Sequence, residues 1–467
     1  MPAVSPDIKQ LLTDYDQLHL IAAAESLTED QVKDLEDQIR AIDFDQITAA
    51  RESSDSSAGD DAVPRADNAV APATVVRPPV SDEERLQRQK DIATGNRLLA
   101  DGAVAVITVA GGQGTRLGFD RPKGMFPIGP VSNMSLFQIF AEQIAARRER
   151  HGGSLPWLVM TSDATHQETQ DYFSDNSYFG LDPQTVHFFK QGSMPAVDAE
   201  SGQILMNGSS SICRSPDGHG GMVTALDSSG LLQQLADAGV KHFFYHQVDN
   251  PTVIICDPAL IGVHDRIQSD LTTNVVRKVD PMERMGVLVD IDGETQIIEY
   301  SELTEQQAHR QDDAGNWVFW AGNTAIHVFS LTFLQSLVAD GCQLELHVAH
   351  KKVPHVGADG EPVDPSEPNA HKFERFIFDA LPLAQKTLIV EGDRDREFNP
   401  VKNATGSDSP ETSQAAISRI GREWLQQSGI NVSEDQVVEV SPATALDADE
   451  LKQKLEAGSV TVAQLTK

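Results

Sequence analysis

The sequence predicts an α/β protein built on a mostly parallel sheet. Three features predict it: short apolar runs rich in β-branched residues, helical stretches alternating with them, and a glycine-rich turn directly after the first run. With 467 residues the chain exceeds one ordinary core, so two or three domains are expected.

Residues 6–50 read as short amphipathic helices. In "SLTEDQVKDLEDQIRAI", Ser26 and Thr28 can cap, and Val32, Leu35, Ile39 and Ile42 recur at helical spacing. From Arg51 to Asp82 the chain turns to Ser, Asp, Ala and Pro. Such a composition buries little, which predicts a flexible linker over 51–82. "DEERLQRQKDIATGNRLLADG" is a helix. "AVAVITV" then has the continuous apolar character of a buried parallel strand, and "SLFQIFAEQIAARRER" is the next helix. "PWLVMTS", "TVHFFKQG", "HFFYHQVDN" and "KTLIVEG" are further strands, separated by helices such as "GLLQQLADAG". The expected division is an N-terminal helical segment 1–50, the linker, a catalytic domain 83–385 and a C-terminal domain 386–467. Within the last, the tail from about residue 430 looks like a small unit.

Net charge is −33, which sets aside nucleic-acid binding for the chain as a whole, because such binding needs cationic surface. No apolar run approaches the roughly 18 residues of a membrane span. The N-terminus lacks the basic-then-apolar pattern of a secretory signal. Cys213, Cys256 and Cys342 are far apart and odd in number, which points to a reducing, cytoplasmic setting.

The stretch "ITVAGGQGTRLGFDRPKG" (107–124) carries the chemistry. Gly111, Gly112 and Gly114 follow a strand directly, where backbone N–H groups can approach a phosphate. A plain structural turn is the alternative. GxxxxGK[ST] has no match, and GxGxxG fails because Leu117 stands at the third glycine position, which argues against a dinucleotide-binding dehydrogenase. Arg116 within the loop and Lys123 just after it suit a triphosphate. Asp249 ends the strand "HFFYHQV", where open α/β sheets bind ligands and where a carboxylate can hold Mg²⁺. On pattern alone it could equally be a turn residue.

These motifs resemble those of the eukaryotic-type (UDPGP-type) UDP-sugar pyrophosphorylases, and among them most nearly the acetylhexosamine branch. The resemblance rests on "AGGQGTRLG", "PKGMFPIG", "QGSMPA", "SPDGHGG", "VDNP", "IIEYSE", "AGN", "KFERFIFDAL" and "FNPVKNA", in that order. It implies a Rossmann-like, GT-A-like nucleotide-diphospho-sugar transferase domain with a mixed sheet, flanked by smaller N- and C-terminal parts. It implies UTP and a sugar 1-phosphate as substrates, Mg²⁺ as cofactor, and a monomer or weak homo-oligomer.

By the same resemblance Val109, Ala110, Gly111 and Gly112 cradle the nucleotide. Gln191 and Gly218 lie around uracil and ribose, Gly286, Glu299 and Asn323 lie around the sugar, and His219 and Tyr300 are further substrate-binding candidates. Lys372 contacts substrate and Lys402 meets the sugar phosphate; on physical grounds a pocket for the N-acetyl group needs an apolar wall such as Phe378. Arg116, Lys123 and Lys402 are the expected catalytic cations, and Asp249 the expected metal ligand. One position departs: the acetylhexosamine branch usually reads "PDGNGG", UDP-glucose pyrophosphorylases carry "GHGD", and this chain has "PDGHGG" with His219. Glucose 1-phosphate is therefore the rival substrate. A non-catalytic nucleotide-sugar sensor is the rival of another class. His347, His350 and His355 form no metal motif and read as structure.

Overall fold

A computed structural model describes residues 4–57, 65–339, 341–342, 344–357 and 359–466. The chain forms two compact units. The smaller comprises Met1–Val63, Gln191–Thr224 and Gln343–Asp379, and the larger comprises Pro64–Lys190, Ala225–Cys342 and Ala380–Lys467.

In the smaller unit, helices Pro6–Asp14, Leu18–Ala24, Glu29–Arg40 and Phe44–Ser57 accompany a three-stranded sheet, ordered His347–Lys351, Ala370–Glu374, Val197–Asp198. Thr28 caps its helix as expected, accepting from the Gln31 N–H. Leu12, Leu35 and Ile39 pack with Val197, Ile204 and Phe373 in one core.

The larger unit carries the main sheet. Its strands are β1 (Val75–Val76), β2 (Val104–Val109), β3 (Trp157–Thr161), β4 (Val186–Lys190), β5 (His242–Gln247), β6 (Leu271–Arg277), β7 (Val287–Ile291), β8 (Glu294–Ile298), β9 (Ala321–Ser330) and β10 (Thr387–Glu391). The order is β1-β10-β6-β9-β5-β2-β3-β4, with the β7–β8 hairpin attached through β7 to β9. On the main path only β9 runs antiparallel to its neighbours, so the sheet is mixed, as the resemblance implied. Apart from Thr108 and Thr161, β2 and β3 are apolar, because both faces are covered. Helix Leu136–His151 supplies Phe137 and Phe140 to this core, and helices Asp82–Ala100 and Pro258–Ile267 supply Leu98, Leu99 and Ile261.

The expected catalytic domain 83–385 is not one unit, since Gln191–Thr224 and Gln343–Asp379 group with the N-terminal helices, and two further expectations about chain organisation also differ from the structure. Within the presumed linker, residues 58–64 lie outside the described set, but β1 extends the main sheet through Val75 and Val76, paired with Ile389 and Val390. Ala66 and Ala69 are buried against Val287, Val289 and Phe319. Small residues and two strand positions suffice to dock a segment that composition marks as unable to bury much. The other difference is at the C-terminal boundary: β10, placed by sequence in a separate domain, is an inner strand of the main sheet.

Candidate active site

The ends of β2 and β5 are neighbours, with Thr108 beside His246 and Val109 beside Gln247. The chain leaves β2 toward β3 on one side, whereas β5 leads on to β6 on the other. Such a divergence opens a crevice at the carboxyl ends of the strands. A buried network fixes it. Trp157 Nε1 donates to Thr108 Oγ1 at 2.8 Å, and Thr108 Oγ1 meets His246 Nε2 at 2.8 Å. Burial lowers the His246 pKa to about 4, so the ring is neutral and can accept there.

The glycine loop leaves β2 under tight constraint. Ala110 N–H donates to the Met160 carbonyl at 2.8 Å, and Ser162 Oγ donates to the Gly111 carbonyl at 2.7 Å. A Cβ on Gly112 would meet no protein atom within 4 Å. The protein itself therefore does not demand glycine there, whereas close approach by a ligand would. Arg116 sits on the short turn Thr115–Leu117, which ends at Gly118 with φ +69°. The chain then returns, and Lys123 N–H donates to the Gly112 carbonyl at 3.0 Å. Gly124 locks this return: a Cβ would lie 2.2 Å from ring carbons of Phe137.

Asp249 follows β5, and its carbonyl accepts from Val401 N–H at 2.8 Å. Asn250 ties the same segment down, donating through Nδ2 to the Glu397 carbonyl at 2.6 Å and accepting from Asn399 N–H at 3.2 Å. The loop bearing Lys402 is thus bonded to the strand end bearing Asp249. Lys402 and Asn403 N–H both donate to the Asp408 carbonyl, at 2.6 and 2.9 Å.

The side chains of this cluster act on one another. Burial lowers the Lys123 pKa. The Asp249 carboxylate opposes that shift, and Lys402 and Arg116 add to it. Three cations and one carboxylate therefore share a field at the crevice, which resolves how so acidic a chain can attract a polyanion. Asp408, which sequence reasoning missed, belongs to the same field. Burial raises its pKa, Lys402 opposes, and Glu283 and Asp249 raise it further. Nothing in the sequence pattern marks it, since it stands seven positions beyond Val401 in a polar loop.

A second group gathers at the β7–β8–β9 corner. Asn323 N–H donates to the Gly286 carbonyl at 2.8 Å, and a Cβ on Gly286 would lie 2.7 Å from Glu299 Oε1. Gly286, Glu299 and Asn323 thus come together, while Tyr300 beside them is 46% exposed. Asn323 Oδ1 accepts from Ala325 N–H at 3.0 Å, so part of its amide is already engaged.

Gln191, Gly218, His219, Lys372 and Phe378 belong to the smaller unit. Gly218, at φ +85°, packs so closely that a Cβ would lie 2.3 Å from the Arg375 carbonyl oxygen. His219 stacks on Phe376, with centroids 5.4 Å apart, and lies 5.5 Å from Phe378. Its Nδ1 accepts from Ile377 N–H at 3.1 Å, and burial lowers its pKa to about 4. An asparagine amide oxygen could accept the same N–H. The departure at this position thus keeps a structural acceptor, whatever the sugar. Lys372 lies on strand Ala370–Glu374, opposite Ala349.

Asp217 supports this loop. It is 4% exposed, and a Cβ on Gly192 or Gly221 would collide with its carboxylate. Burial raises its pKa from 3.8 to about 6, although Arg375 opposes the shift. The folded state therefore holds this proton more tightly than the unfolded chain, and stability is lost as pH rises from about 4 through about 6. Asp217→Asn should stabilise the protein by about 3 kcal/mol above pH 7, the gain fading toward pH 4. Thermal melts of both proteins across that range check this; a gain that does not shrink on acidification contradicts it.

A family profile described as UTP-glucose-1-phosphate uridylyltransferase (UDPGP) matches residues 65–456. The chain belongs to the UDPGP family. Among UDPGP relatives, the Saccharomyces cerevisiae UDP-N-acetylglucosamine pyrophosphorylase is 37% identical over 369 residues, 77% of each chain. The human UDP-N-acetylhexosamine pyrophosphorylase-like protein 1 is 36% identical over 367 residues, 77% of this chain and 72% of that one. Among solved structures, the Trypanosoma brucei uridine diphosphate N-acetylglucosamine pyrophosphorylase in complex with inhibitor superposes with TM-score 0.82 at 29% identity, covering 97% of this chain and 95% of that one. Leishmania major UDP-glucose pyrophosphorylase shares the fold, with TM-score 0.60 at 17% identity over 81% of this chain and 76% of that one. The nucleotidyltransferase fold expected from the motifs is thus the fold of the UDPGP family.

Proposed function

We propose that this chain is a uridylyltransferase that joins UTP and N-acetylglucosamine 1-phosphate to give the UDP-sugar and pyrophosphate. The observation that carries the reading is the convergence of Arg116, Lys123, Lys402 and Asp249 on one crevice beside a glycine loop open to a ligand. A phosphate oxygen of the sugar 1-phosphate attacks the α-phosphorus of UTP, and the bond to pyrophosphate breaks. The nucleophile is already anionic, so no general base is required. What must be overcome is repulsion between two polyanions, and fixed cations do this. Arg116 and Lys123 neutralise the triphosphate and the departing pyrophosphate, and Lys402 steers the sugar phosphate in line.

Asp249 is the residue that would hold Mg²⁺. No group of three or more metal-binding side chains occurs among the described residues. A single carboxylate nevertheless fits Mg²⁺, because this ion is commonly held by one or two carboxylates with substrate phosphates and water completing the shell. When bound, the ion supplies further neutralisation of phosphate charge. No helix among the described residues is long and apolar enough to cross a membrane. Cys213, Cys256 and Cys342 are free thiols, as a reducing cytoplasmic setting would keep them.

The sugar preference rests on the relatives' names and on the Gly286–Glu299–Asn323 corner. A polar partner for the acetamide, left unpaired with glucose 1-phosphate, costs about 1–3 kcal/mol. This predicts a roughly 5- to 150-fold preference in kcat/KM for the acetylated sugar at equal UTP and Mg²⁺. Equal values, or a preference for glucose 1-phosphate, would instead favour the second reading, which the family description supports.

A further inference from the structure

The larger unit holds a cavity of about 80 Å³ that opens to solvent. Residues 251–254, which follow Asp249, form one wall; helices Leu136–His151 and Pro410–Gln427 contribute others. Its apolar surface comes from Ile139, Ile254, Ile417, Ile420 and Trp424. Two guanidinium groups, Arg147 and Arg396, line the same space.

These arginines are poorly neutralised. Arg147 is 5% exposed, and its Nε donates to the Ile255 carbonyl at 3.1 Å. Arg396 donates through Nη1 to the Thr252 carbonyl at 3.1 Å and lies 5.4 Å from the Trp424 ring centroid. Among the described residues, neither forms an ion pair within 4.0 Å. Burial lowers both pKa values, and Arg147 adds to the shift of Arg396. The acids that oppose these shifts, Glu397 and Asp393 at Arg396, Asp447 at Arg147 and Asp257 at both, are bonded elsewhere; Glu397 accepts from Asp393 N–H at 2.9 Å and Asn274 Nδ2 at 3.0 Å. Asp257, which acts on both arginines from a distance, caps a helix by accepting from Ala259 N–H at 3.0 Å. Glu439 accepts from Val131 N–H, Ser132 N–H and Ser132 Oγ at 2.6, 2.8 and 2.6 Å. Arg150 nearby is different, being paired with Asp447 and Glu450.

Two like charges at one apolar cavity, Arg147 buried and Arg396 half-buried, with backbone carbonyls and not carboxylates as their bonded acceptors, favour an anion between them. We propose that this cavity is a second ligand site, for a small monoanion with an apolar body, its charge held by Arg147 and Arg396 and its body packed on Trp424. The site is separate in chain and side chains from the Arg116, Lys123 and Lys402 cluster. It is nevertheless wired to it. The Thr252 carbonyl that binds Arg396 belongs to a residue whose Oγ1 accepts from Asn399 Nδ2 at 3.0 Å, and Asn399 lies three positions before Lys402. An occupant that draws Arg396 away from Thr252 therefore shifts the base of the Lys402 loop.

The test is calorimetric titration of the full chain with naphthalene-1-sulfonate, under saturating UTP and Mg²⁺ so that the catalytic cations are occupied. Methanesulfonate supplies the head alone and 1-naphthol the body alone. The expected result is one site for naphthalene-1-sulfonate, with at least about tenfold weaker binding of either fragment. Arg396→Gln should weaken binding about tenfold or more. Ile417→Trp, which fills the cavity and keeps both arginines, should do the same, and it retains the test if the arginine variant fails to fold. Absence of binding to the wild type, equal binding of 1-naphthol, or binding undiminished in Ile417→Trp would overturn the proposal. The readout is binding, so it stands or falls independently of the proposed activity.

Discussion

Lys123→Ala should lower kcat/KM by about 10²- to 10³-fold while leaving the fold intact, because a preorganised charge is lost where negative charge moves in the transition state. The backbone of Lys123 holds the loop through the Gly112 carbonyl, and that bond survives the substitution. The ammonium is costly to keep in place: burial and two neighbouring cations depress its pKa, and Asp249 alone opposes them. Lys123→Arg should recover only part of the rate, since a planar guanidinium cannot replace a point charge beside the ring-locked Gly124. Steady-state kinetics with matched melting curves check both variants. A wild-type rate in Lys123→Ala removes this residue from the chemistry.

Asp249→Asn should have an effect of similar size, about 10²-fold, with a different signature. Mg²⁺ should be needed at higher concentration, while UTP binding falls less. A second consequence follows from charge alone. Asp249 raises the Lys123 pKa, so its removal lets that pKa fall further, and the alkaline limb of the rate profile should move to lower pH. Activity as a function of pH at several Mg²⁺ concentrations separates the two effects. An unchanged Mg²⁺ titration together with an unmoved alkaline limb would place the metal elsewhere and uncouple the pair.

The parts of the fold legible in the sequence are those where burial coincides with apolar composition. β2, β3, β4, β5 and β10 all follow from their runs. β6 and β9 escape such a reading because their buried positions include Thr272, Thr273, Asn274, Thr324 and His327. These polar groups answer one another: Thr273 Oγ1 meets His327 Nδ1 at 3.0 Å, and Thr324 Oγ1 donates to the Asn274 carbonyl at 2.8 Å. Polar residues paired across strands look like loop in one dimension and like core in three. The supposed linker misleads for a related reason, since β1 docks through backbone pairing and not through side-chain bulk.

At the site, the motif residues were legible because glycine, arginine and lysine stand at spacings that phosphate chemistry explains. Arg116, Lys123, Asp249 and Lys402 then meet in space although nearly three hundred positions separate the first from the last. The supporting residues were not legible. Asp408 acts through its backbone carbonyl, Asn250 through both ends of its side-chain amide, and His219 through one ring nitrogen and a stacked phenylalanine. Such roles depend on where the backbone passes, which no local pattern records.

The central claim is that this crevice transfers a uridylyl group, and one measurement addresses it directly. The purified chain is incubated with UTP, Mg²⁺ and a panel of sugar 1-phosphates, and released pyrophosphate and nucleotide sugar are both quantified. The account predicts equimolar pyrophosphate and UDP-sugar, dependent on both substrates and greatest with N-acetylglucosamine 1-phosphate. No pyrophosphate with any sugar in the panel, or pyrophosphate released without a sugar 1-phosphate, would contradict it.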